Sequence, residues 1–506
     1  MASPDRQSSL TIDASWLLIA RTVSFAFSLA LPLFLVRHLD QVQFGVYKQA
    51  FLVVNTLVSI VPLGFAMSAM YFLPREPDKQ ASAVFNIFLF NCFAGAPVCL
   101  LFAIRPSILQ LIFGGPDLIP YAPALGMIIL FWTAAAGFEF IAVALNEMKA
   151  ASAIIIFIQL TRTAFVLAAA VFIGSLKALV AAAAIQGACQ VIAYLLYLKF
   201  RFPGFWRQFD GALMRRQLSY ALPLGAAGLL YTFQTDLHNY FVSNRFGPAL
   251  FAIYSVGTAQ LPLVYMLQEA ASSVLIPRIS LLQRNNDGHE IAHQMVRAIR
   301  KLAAAYLPLY FLLLVVGPEF IRFLFTDRYA SAWPVFAIYL TLLPISMILY
   351  DPLYRAFADQ RYFLIRLRAV LLAALIPLLW FGSAQFGLVG AISAVVVVLA
   401  AERVVTLIRF SRILGVSWAD VPLALDIGKL ALAAGGAALA TTFLRVHLLA
   451  HKPFFVLAVC GTVFGVIYIV TVLLLRIPSQ DELDRVARIV PSSLRPLLRF
   501  GSTSAS

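Results

Sequence analysis

The stretch SAIIIFIQLTRTAFVLAAAVFI, residues 152–173, contains a single charged side chain, Arg162. At about 1.5 Å of rise per residue, a helix of this length spans about 33 Å, which matches the ~30 Å hydrocarbon core of a bilayer. A charge at the centre of such a helix is costly unless protein or water lies beside it. The stretch therefore predicts a membrane-spanning helix in which the arginine has a structural or functional purpose.

The rest of the chain has the same apolar character. Its 506 residues are 62% hydrophobic and only 12% charged, and the mean hydropathy is +0.89. The 38 Lys and Arg residues exceed the 23 Asp and Glu residues, but they flank apolar runs, so membrane topology explains them better than nucleic-acid binding. The four cysteines lie inside apolar runs without metal-site spacing. We predict an all-α polytopic membrane protein with no cofactor, no metal and no nucleic-acid partner.

About fourteen spans follow from apolar runs bounded by charges or by Gly and Pro. If the N-terminus is cytoplasmic, the inside segments hold about 26 of the 38 Lys and Arg residues, as the positive-inside rule requires. Both termini are therefore predicted to be cytoplasmic. The predicted spans are residues 14–36, 45–72, 82–103, 119–145, 152–173, 177–199, 218–243, 249–275, 301–325, 332–357, 364–384, 387–409, 426–446 and 453–475.

Two parts of the chain repeat each other. HLDQVQFGVY at 38–47 follows span one and RFGPALFAIY at 245–254 follows span seven, with Phe and Tyr in matching register. A Pro-Arg pair comes later in each copy, at 74–75 and 277–278. The match predicts a duplicated six-span unit, hence two six-helix lobes around a central cleft. The predicted parts are an N-lobe at 1–200, a basic cytoplasmic linker at 201–217, a C-lobe at 218–410, two additional spans within 411–476 and a cytoplasmic amphipathic tail at 477–506.

A segment after span eight is also amphipathic. Ile291, Met295 and Ile299 recur at helical spacing opposite Arg297 and Arg300. This pattern is typical of a helix that lies at the level of the lipid headgroups. The tail repeats it between residues 481 and 500.

Polar side chains inside the first lobe are candidates for a substrate site. Arg21, Ser24 and Ser28 follow one face of span one, and Gln159 shares a face of span five with Arg162. Each arginine could bind a ligand or could fix the packing of helices through an ion pair. Glu139 in span four is the expected partner of Arg162 in the packing alternative, whereas Arg21 has no acid at similar depth nearby in the sequence.

Spans seven and eight carry polar stripes of their own. Side chains that recur at helical spacing keep one face of each span polar, as expected of a cavity wall. The alternative is that they form hydrogen bonds between helices. The candidates for the site are Asp236, His238 and Asn239 in span seven with Tyr254, Thr258, Tyr265 and Glu269 in span eight.

Three acids are candidates for coupling to a proton or sodium gradient. They are Asp236, Glu269 and Asp351, and moving one charge across 100 mV is worth about 2.3 kcal/mol. Asp351 has an alternative as the local ion-pair partner of Arg355. The sequence has no phosphate-binding loop of the GxxxxGK[ST] type and no long outside loop rich in His and acids, so no catalytic residue is assigned and no enzyme is predicted.

These features together carry a family resemblance. The Phe44-Gly45-Val46-Tyr47 turn between spans one and two, the two Pro-Arg pairs and the basic link between lobes resemble bacterial polysaccharide flippases of the Wzx type. These flippases belong to the superfamily of multidrug, oligosaccharidyl-lipid and polysaccharide exporters. The resemblance covers roughly residues 10–410. It implies that an undecaprenyl-diphosphate-linked oligosaccharide, such as an O-antigen or exopolysaccharide repeat unit, is moved across the bacterial inner membrane by alternating access.

The resemblance also implies partners: the lipid-linked oligosaccharide, membrane lipids and other polysaccharide assembly proteins. A diphosphate must be neutralised on leaving water, and guanidinium groups such as those of Arg21 and Arg162 do so with bidentate hydrogen bonds. Spans thirteen and fourteen look like those of the lipid II flippase branch, but span one lacks that branch's arginine-rich opening. The alternatives are a multidrug or cation antiporter, a non-transporting scaffold, or a sugar-polymerising enzyme. An antiporter usually has a carboxylate well inside span one, whereas here Asp13 precedes the span.

Overall fold

The computed structural model describes residues 4–415 and 422–478, and every regular element in those ranges is helical. Ten of the helices are long and apolar enough to cross a membrane, and two bent helix pairs raise that number to as many as twelve. The predicted all-helical polytopic class is confirmed, while the count of fourteen spans is approximate. The predicted amphipathic helix at 481–500 lies outside the described residues.

The chain forms two compact units, and the first is Met1–Ser255. A core cluster of this unit includes Phe72, Ile87, Ile141 and Tyr194, all buried. The lobe boundaries expected from the repeat remain a prediction. The helices that begin in this unit are α1 (Pro4–His38), α2 (Gln41–Ile60), α3 (Ser68–Arg75), α4 (Gln80–Ile104), α5 (Ile108–Phe113), α6 (Ala122–Ala134), α7 (Gly137–Ala144), α8 (Met148–Phe172), α9 (Leu176–Arg201) and α10 (Gly211–Gly257).

The second unit is Val256–Ser506. Its described core cluster joins three helices through buried side chains such as Leu307, Leu430 and Phe464. The helices of this unit are α11 (Pro262–Arg284), α12 (Gly288–Phe325), α13 (Trp333–Leu340), α14 (Leu342–Ser346), α15 (Asp351–Ala356), α16 (Arg361–Ile413), α17 (Pro422–Leu448) and α18 (Pro453–Leu474).

Glycines interrupt the two longest helices. Gly247 in α10 has φ 75° and ψ 179°, and Gly387 in α16 has φ 57° and ψ −134°, which are conformations that other residues rarely adopt. The His238 ring Nδ1 lies 2.9 Å from the Tyr254 hydroxyl, although sixteen residues of straight helix would separate them by about 24 Å. The chain therefore reverses at Gly247, and Gly387 divides α16 at the boundary between two predicted spans.

The turn expected at Phe44–Tyr47 is wrong, because these residues belong to α2. The Asp40 carboxylate accepts a hydrogen bond of 2.8 Å from the Gln43 backbone N–H, and the Gln43 side chain accepts one of 3.4 Å from the Asp40 N–H. This capping box starts the helix before the apolar residues begin. Phe44 and Tyr47 are consequently buried helical side chains, and the link between α1 and α2 is confined to residues 39–40.

The expectation of a separate amphipathic helix after span eight is also wrong, because the segment is the first part of α12. Helix α12 runs without a break from Gly288 to Phe325, and Asp287 caps it by accepting a hydrogen bond of 3.0 Å from the Glu290 N–H. The apolar side chains Ile291 and Met295 are buried. The apolar face of this segment therefore packs into the protein, and the segment extends the ninth predicted span.

Two ion pairs hold the corner between α3 and α4 to the start of α10. Arg216 donates two hydrogen bonds, of 2.8 and 2.7 Å, to the Glu76 carboxylate, and Lys79 donates one of 3.1 Å to Asp210. The bond from Arg216 holds the pKa of the Glu76 carboxyl below its ordinary value. Because the folded pKa is lowered, this stabilisation is present above the ordinary carboxyl pKa and is lost as the pH falls through the lowered one.

A bidentate ion pair joins α12 to α17 in the second unit. Arg445 donates from Nε and Nη2 to the two Glu319 carboxylate oxygens, at 3.1 and 2.8 Å, and the Glu319 side chain is 6% exposed. Removing the cation beside a buried carboxylate strongly destabilises a folded protein, whereas replacing both partners by apolar residues often leaves its stability unchanged. The pair therefore fixes α17 against α12.

Replacing Arg445 by Met is expected to destabilise the protein by about 3–5 kcal/mol, because Glu319 is left buried without a cation. The double variant Glu319→Leu/Arg445→Met removes both charges and is expected to lose much less. Thermal unfolding of the detergent-solubilised variants measures both effects. Equal losses in the single and double variants would contradict this account of the pair.

Candidate functional site

The Arg162 guanidinium lies face-on against the Trp132 ring. Its central carbon is 3.5 Å from the ring centroid, and the residue is half-buried on α8. A cation over an indole face is stabilised by about 0.5–1 kcal/mol at an exposed site and by about 2 kcal/mol when water is excluded. Arg162 is therefore held within its span by the ring of a neighbouring helix, α6.

A hydrogen-bond network fixes the Trp132 ring in place. Its Nε1–H donates a hydrogen bond of 3.1 Å to Gln186 Oε1 on α9. The Gln186 amide in turn donates to Gln190 at 3.3 Å and to Thr161 at 3.4 Å. Because the buried indole N–H has a partner, the ring is held in one orientation beneath Arg162.

The hydrogen-bonding capacity of Arg162 remains unused in the described ranges, 4–415 and 422–478. The structure gives its guanidinium no hydrogen bond and no carboxylate within 4.0 Å there. A guanidinium has five N–H donors in its plane, and a ring stacked on one face blocks none of them. Arg162 is thus a half-buried cation that is oriented by an aromatic ring and able to donate to an anion.

Arg21, not Arg162, is the partner of Glu139. Arg21 Nη2 lies 3.4 Å from Glu139 Oε1, and the Arg21 side chain is 62% exposed. The packing alternative in which Glu139 pairs with Arg162 is therefore wrong, and the acid that contacts Arg21 lies 118 positions away in the sequence. Depth along the sequence gives no information on which helices are neighbours, and α7 brings its glutamate to α1. The single long contact leaves most of the Arg21 guanidinium accessible.

The other predicted side chains of the first lobe make local hydrogen bonds. Ser28 donates to the Phe25 carbonyl oxygen at 2.7 Å, one turn back on α1. The Gln159 amide donates to Thr163 Oγ1 at 3.3 Å on α8. Ser24 is half-buried. These contacts satisfy the polar groups within their own helices and leave Arg21 and Arg162 as the charged candidates of this set.

Lys48 is a cation in the same unit that the reasoning from sequence did not select. It is half-buried on α2, and its Nζ lies 5.4 Å from the centroid of the Phe44 ring. No carboxylate lies within 4.0 Å of it in the described part of the chain. Lys48 lies only a few residues into the predicted span, where a lysine is usually a flanking charge. The sequence feature that could have identified it is the absence of any Asp or Glu within the predicted span 45–72.

A ladder of polar contacts links α2 to α10, and both helices belong to the first unit in this stretch. The contacts recur every three or four residues on each helix and run in opposite directions along the two, so the helices are antiparallel neighbours. From one end to the other the contacts are Gln49 Nε2 to Ser243 Oγ at 2.8 Å, Tyr240 Oη to the Leu52 carbonyl at 3.5 Å, Thr56 Oγ1 to Asp236 Oδ2 at 2.7 Å, and Ser59 Oγ with Thr232 Oγ1 at 3.5 Å.

Glycines allow the two helices to approach so closely. A Cβ added to Gly45 would lie 1.9 Å from the Pro248 carbonyl oxygen, and one added to Gly225 would lie 2.1 Å from that of Leu63. Both are backbone contacts, so no side chain could move aside. The polar ladder and these two glycines together define the α2–α10 contact.

Span seven places its predicted residues in different surroundings. Asp236 is half-buried in the ladder, and Asn239 is half-buried beside it in sequence. His238 and Tyr254 are both buried and bond to each other across the Gly247 reversal. In this conformation the His238–Tyr254 pair stabilises the reversal and offers no surface to a ligand.

The remaining candidates lie in the second unit. Tyr265 and Glu269 are exposed on α11, and Thr258 is half-buried. Asp351 accepts a hydrogen bond of 2.8 Å from Arg355 Nε, four residues later, and both side chains are largely exposed. The local ion pair offered as the alternative for Asp351 is therefore present.

The second unit contains another ion pair with a buried carboxylate, which the sequence did not predict. Arg368 Nε donates a hydrogen bond of 3.0 Å to Glu402 Oε1 between the two halves of α16, and the Glu402 side chain is 4% exposed. The two residues are 34 positions apart, so only the reversal at Gly387 brings them together. Like Glu319 with Arg445, this pair is compensated and serves packing.

No group of three or more His, Cys, Asp or Glu side chains that could hold a metal ion occurs among the residues that were described.

The family model described as "polysaccharide biosynthesis protein" matches residues 34–334, more than half of the chain. No curated protein gives a significant match.

Solved membrane transporters share the fold. The lipid II flippase MurJ in an inward closed conformation is 14% identical, with a TM-score of 0.66 over 92% of this chain and 98% of that chain. A multidrug resistance MATE family transporter of the MOP superfamily, in an inward-facing conformation, is 10% identical, with a TM-score of 0.60 over 78% and 94%. A mutant of the Vibrio cholerae MATE transporter VcmN is 13% identical, with a TM-score of 0.54 over 81% and 97%.

The α2–α10 contact can be tested by thiol cross-linking. In a variant without native cysteines, Gln49→Cys/Ser243→Cys is expected to react efficiently with a short bifunctional thiol reagent, because the native side chains touch at 2.8 Å. The control pair Gln49→Cys/Ser219→Cys places the second thiol about 36 Å further along α10 and should not react. Peptide mapping by mass spectrometry distinguishes the two. Equal cross-linking of both pairs would argue against the ladder.

Proposed function

Because this chain belongs to the polysaccharide biosynthesis protein family, we propose that it is a flippase for an undecaprenyl-diphosphate-linked oligosaccharide. In this proposal it moves the lipid-linked unit from the inner to the outer leaflet of the bacterial inner membrane by alternating access. The structural neighbours named above are flippases and transporters rather than enzymes, which supports a transport role. The substrate itself is argued from the cations of the first unit.

The observation that carries the proposal is the Arg162 guanidinium stacked on Trp132 without a carboxylate partner. A cation kept within a membrane span without an acid in the described chain is costly unless it serves a ligand or a water-filled cavity. A diphosphate offers several oxygen acceptors in a geometry that a guanidinium binds with two parallel hydrogen bonds. Arg162 therefore suits a phosphorylated headgroup better than a cationic drug.

Two further cations of the first unit complete the proposed diphosphate site. Arg21 is largely exposed and is held by one long contact to Glu139, so it can exchange that acid for a phosphate oxygen. Lys48 supplies a compact charge on α2 without a described acid partner. Three positive groups suffice to neutralise a diphosphate on leaving water.

Polar side chains along α11 are proposed to contact the sugars. Tyr265 and Glu269 are exposed, and Thr258 is half-buried just before α11 begins. The hydroxyl groups can donate to and accept from sugar hydroxyls, and the carboxylate can accept from them, while an exposed tyrosine ring provides an apolar surface for a sugar face. The lipid tail would stay in the bilayer during transport.

Alternating access requires a contact that forms in one state and breaks in the other. The α2–α10 ladder suits this role, because it includes single hydrogen bonds between side chains and close backbone contacts at glycines. Asp236 is the one acid of the ladder, and it accepts a bond from Thr56. Protonation of its carboxylate would replace a charge-assisted bond by a weaker neutral one. A proton gradient could then favour separation of the helices.

Arg162→Ala is expected to slow flipping at least about tenfold, because hydrogen bonds to a charged group contribute about 1.5–3 kcal/mol. Arg162→Lys keeps the charge but loses the planar fork, so it should recover only part of the rate. Arg284→Ala, an exposed arginine at the end of α11, is the matched control and should flip normally. Flipping of a lipid-linked oligosaccharide in proteoliposomes, after confirming insertion, gives the rates. Unchanged transport by Arg162→Ala would remove this residue from the site.

Asp236→Asn tests the proposed coupling. The amide cannot change charge, so we expect the dependence of the flipping rate on an imposed pH gradient to disappear while basal flipping persists. Asp351→Asn, whose exposed acid pairs with Arg355, is the control and should keep the dependence. A wild-type rate that is insensitive to both proton and sodium gradients would refute coupling altogether.

The competing substrates are separated by the same proteoliposome assay. Lipid II carries the same diphosphate but a different sugar, so its transport at an equal rate would move the assignment to lipid II. Efflux of a cationic drug that persists in Arg162→Ala would instead favour a multidrug antiporter, as in the MATE transporters that share the fold. A scaffold or a sugar-polymerising enzyme would transport neither.

A further inference from the structure

A cavity of about 860 Å³ lies within the second unit, between α11 and the N-terminal part of α12, with Asp426 of α17 at its edge. Its volume falls in the range of sites that hold one small ligand, about 300–1,000 Å³. It lies apart in sequence from Arg21, Lys48 and Arg162, and the proposed flipping mechanism does not use it.

The cavity is lined by three exposed basic side chains. Arg278 of α11 and Arg297 and Lys301 of α12 line it, and none of the three makes a hydrogen bond or an ion pair within the described ranges. The nearby acids have other partners. Asp426 pairs with Arg300 at 3.4 Å and with Lys429 at 3.3 Å, and Glu290 bonds to Gln294 and lies 3.6 Å from His293.

Glu290 also lowers the positive potential at Arg278 and Arg297, since all three interact electrostatically. One carboxylate cannot neutralise two guanidinium groups and the Lys301 ammonium. A net positive charge therefore remains in the cavity, and an anion would complement it.

The α11 wall of the cavity is apolar. Leu267, Ala270, Ala271, Val274 and Leu275 recur at helical spacing on one face of α11 and lead to Arg278 on the same face. The apolar positions from Leu267 to Leu275 cover about 12 Å of helix, and Arg278 follows about one turn later.

Helices α11 and α12 line the cavity as antiparallel neighbours joined by residues 285–287. The Tyr306 hydroxyl donates a hydrogen bond of 2.8 Å to the Val264 carbonyl oxygen, which places Arg297 roughly level with Val274 and Lys301 roughly level with Ala270. The basic positions of α12 therefore face the apolar wall of α11 across the cavity.

We propose that this cavity binds one anionic phospholipid, with its phosphate at Arg278, Arg297 and Lys301 and one acyl chain along the apolar face of α11. The predicted orientation places the link between α11 and α12, with Arg278 near it, on the cytoplasmic side. The apolar wall of about 12 Å accommodates part of one acyl chain. The site is a lipid site additional to the proposed diphosphate site.

The test is native mass spectrometry of the full-length protein in detergent, titrated with phosphatidylglycerol or phosphatidylcholine. The wild type is expected to retain one phosphatidylglycerol, and Arg297→Ala/Lys301→Ala is expected to reduce its apparent affinity about tenfold or more, because two charge-assisted contacts are lost. Arg284→Ala, at the end of α11 and outside the cavity, should bind like the wild type.

Further arms identify the ligand. Ala271→Trp fills the apolar part and should displace phosphatidylglycerol without altering the charges, and a normal unfolding temperature shows that each variant folds. Equal retention of phosphatidylcholine, or unchanged binding in Arg297→Ala/Lys301→Ala, overturns the proposal. So does displacement of phosphatidylglycerol by inorganic diphosphate alone or by a lower concentration of undecaprenyl phosphate, since the occupant would then be a free anion or the carrier lipid.

Discussion

The contact between the Arg162 guanidinium and the Trp132 ring is the interaction on which the proposed chemistry depends. A positive charge within a membrane span must be stabilised by its surroundings. A carboxylate would do so and would also occupy the donors of the guanidinium, as Glu319 does for Arg445. An aromatic face stabilises the charge and leaves the donors available. The choice of partner therefore separates a cation that holds helices together from one that can hold a ligand.

The hydrogen bonds of the α2–α10 ladder are weak enough to form and break during transport. Hydrogen bonds between membrane helices contribute modestly, about 0.6 kcal/mol on average, so four of them can form and break without a large free-energy penalty. Gly45 and Gly225 bring the backbones together, and such close contacts are lost entirely when the helices separate. A contact of this kind is suited to two discrete states. The Glu319–Arg445 and Arg368–Glu402 pairs, by contrast, fix helices that need not part.

The sequence predicted the class of the molecule well, because hydropathy over about twenty residues reports directly on membrane crossing. It also singled out Arg162 from its cost in a span. It failed where the answer depended on which helices are neighbours. Glu139 meets Arg21 rather than Arg162, and Arg368 meets Glu402 only because the chain reverses at Gly387.

Local backbone geometry was the second source of error. The Phe44–Tyr47 segment was predicted to be a turn at the junction of spans one and two. The Asp40 capping box instead makes it part of a helix. The segment around Ile291 has the amphipathic pattern of an interfacial helix, but that pattern fits equally a helix whose apolar face is buried in protein. Periodicity identifies the face that avoids water. It does not say whether lipid or protein covers that face.

The distribution of paired and unpaired cations unites the two proposed sites. No carboxylate of the described chain lies within 4.0 Å of Arg162 or Lys48 in the first unit, or of the exposed Arg278, Arg297 and Lys301 in the second. Arg368 of α16 and Arg445 of α17 are half-buried, and each pairs with a buried glutamate. If Arg162 and Lys48 served only packing, acids should accompany them as they accompany these two half-buried arginines, because an unpaired charge costs most where water is excluded. The unpaired cations instead lie beside an aromatic ring or line an amphipathic cavity, and both surroundings complement a phosphate attached to a lipid.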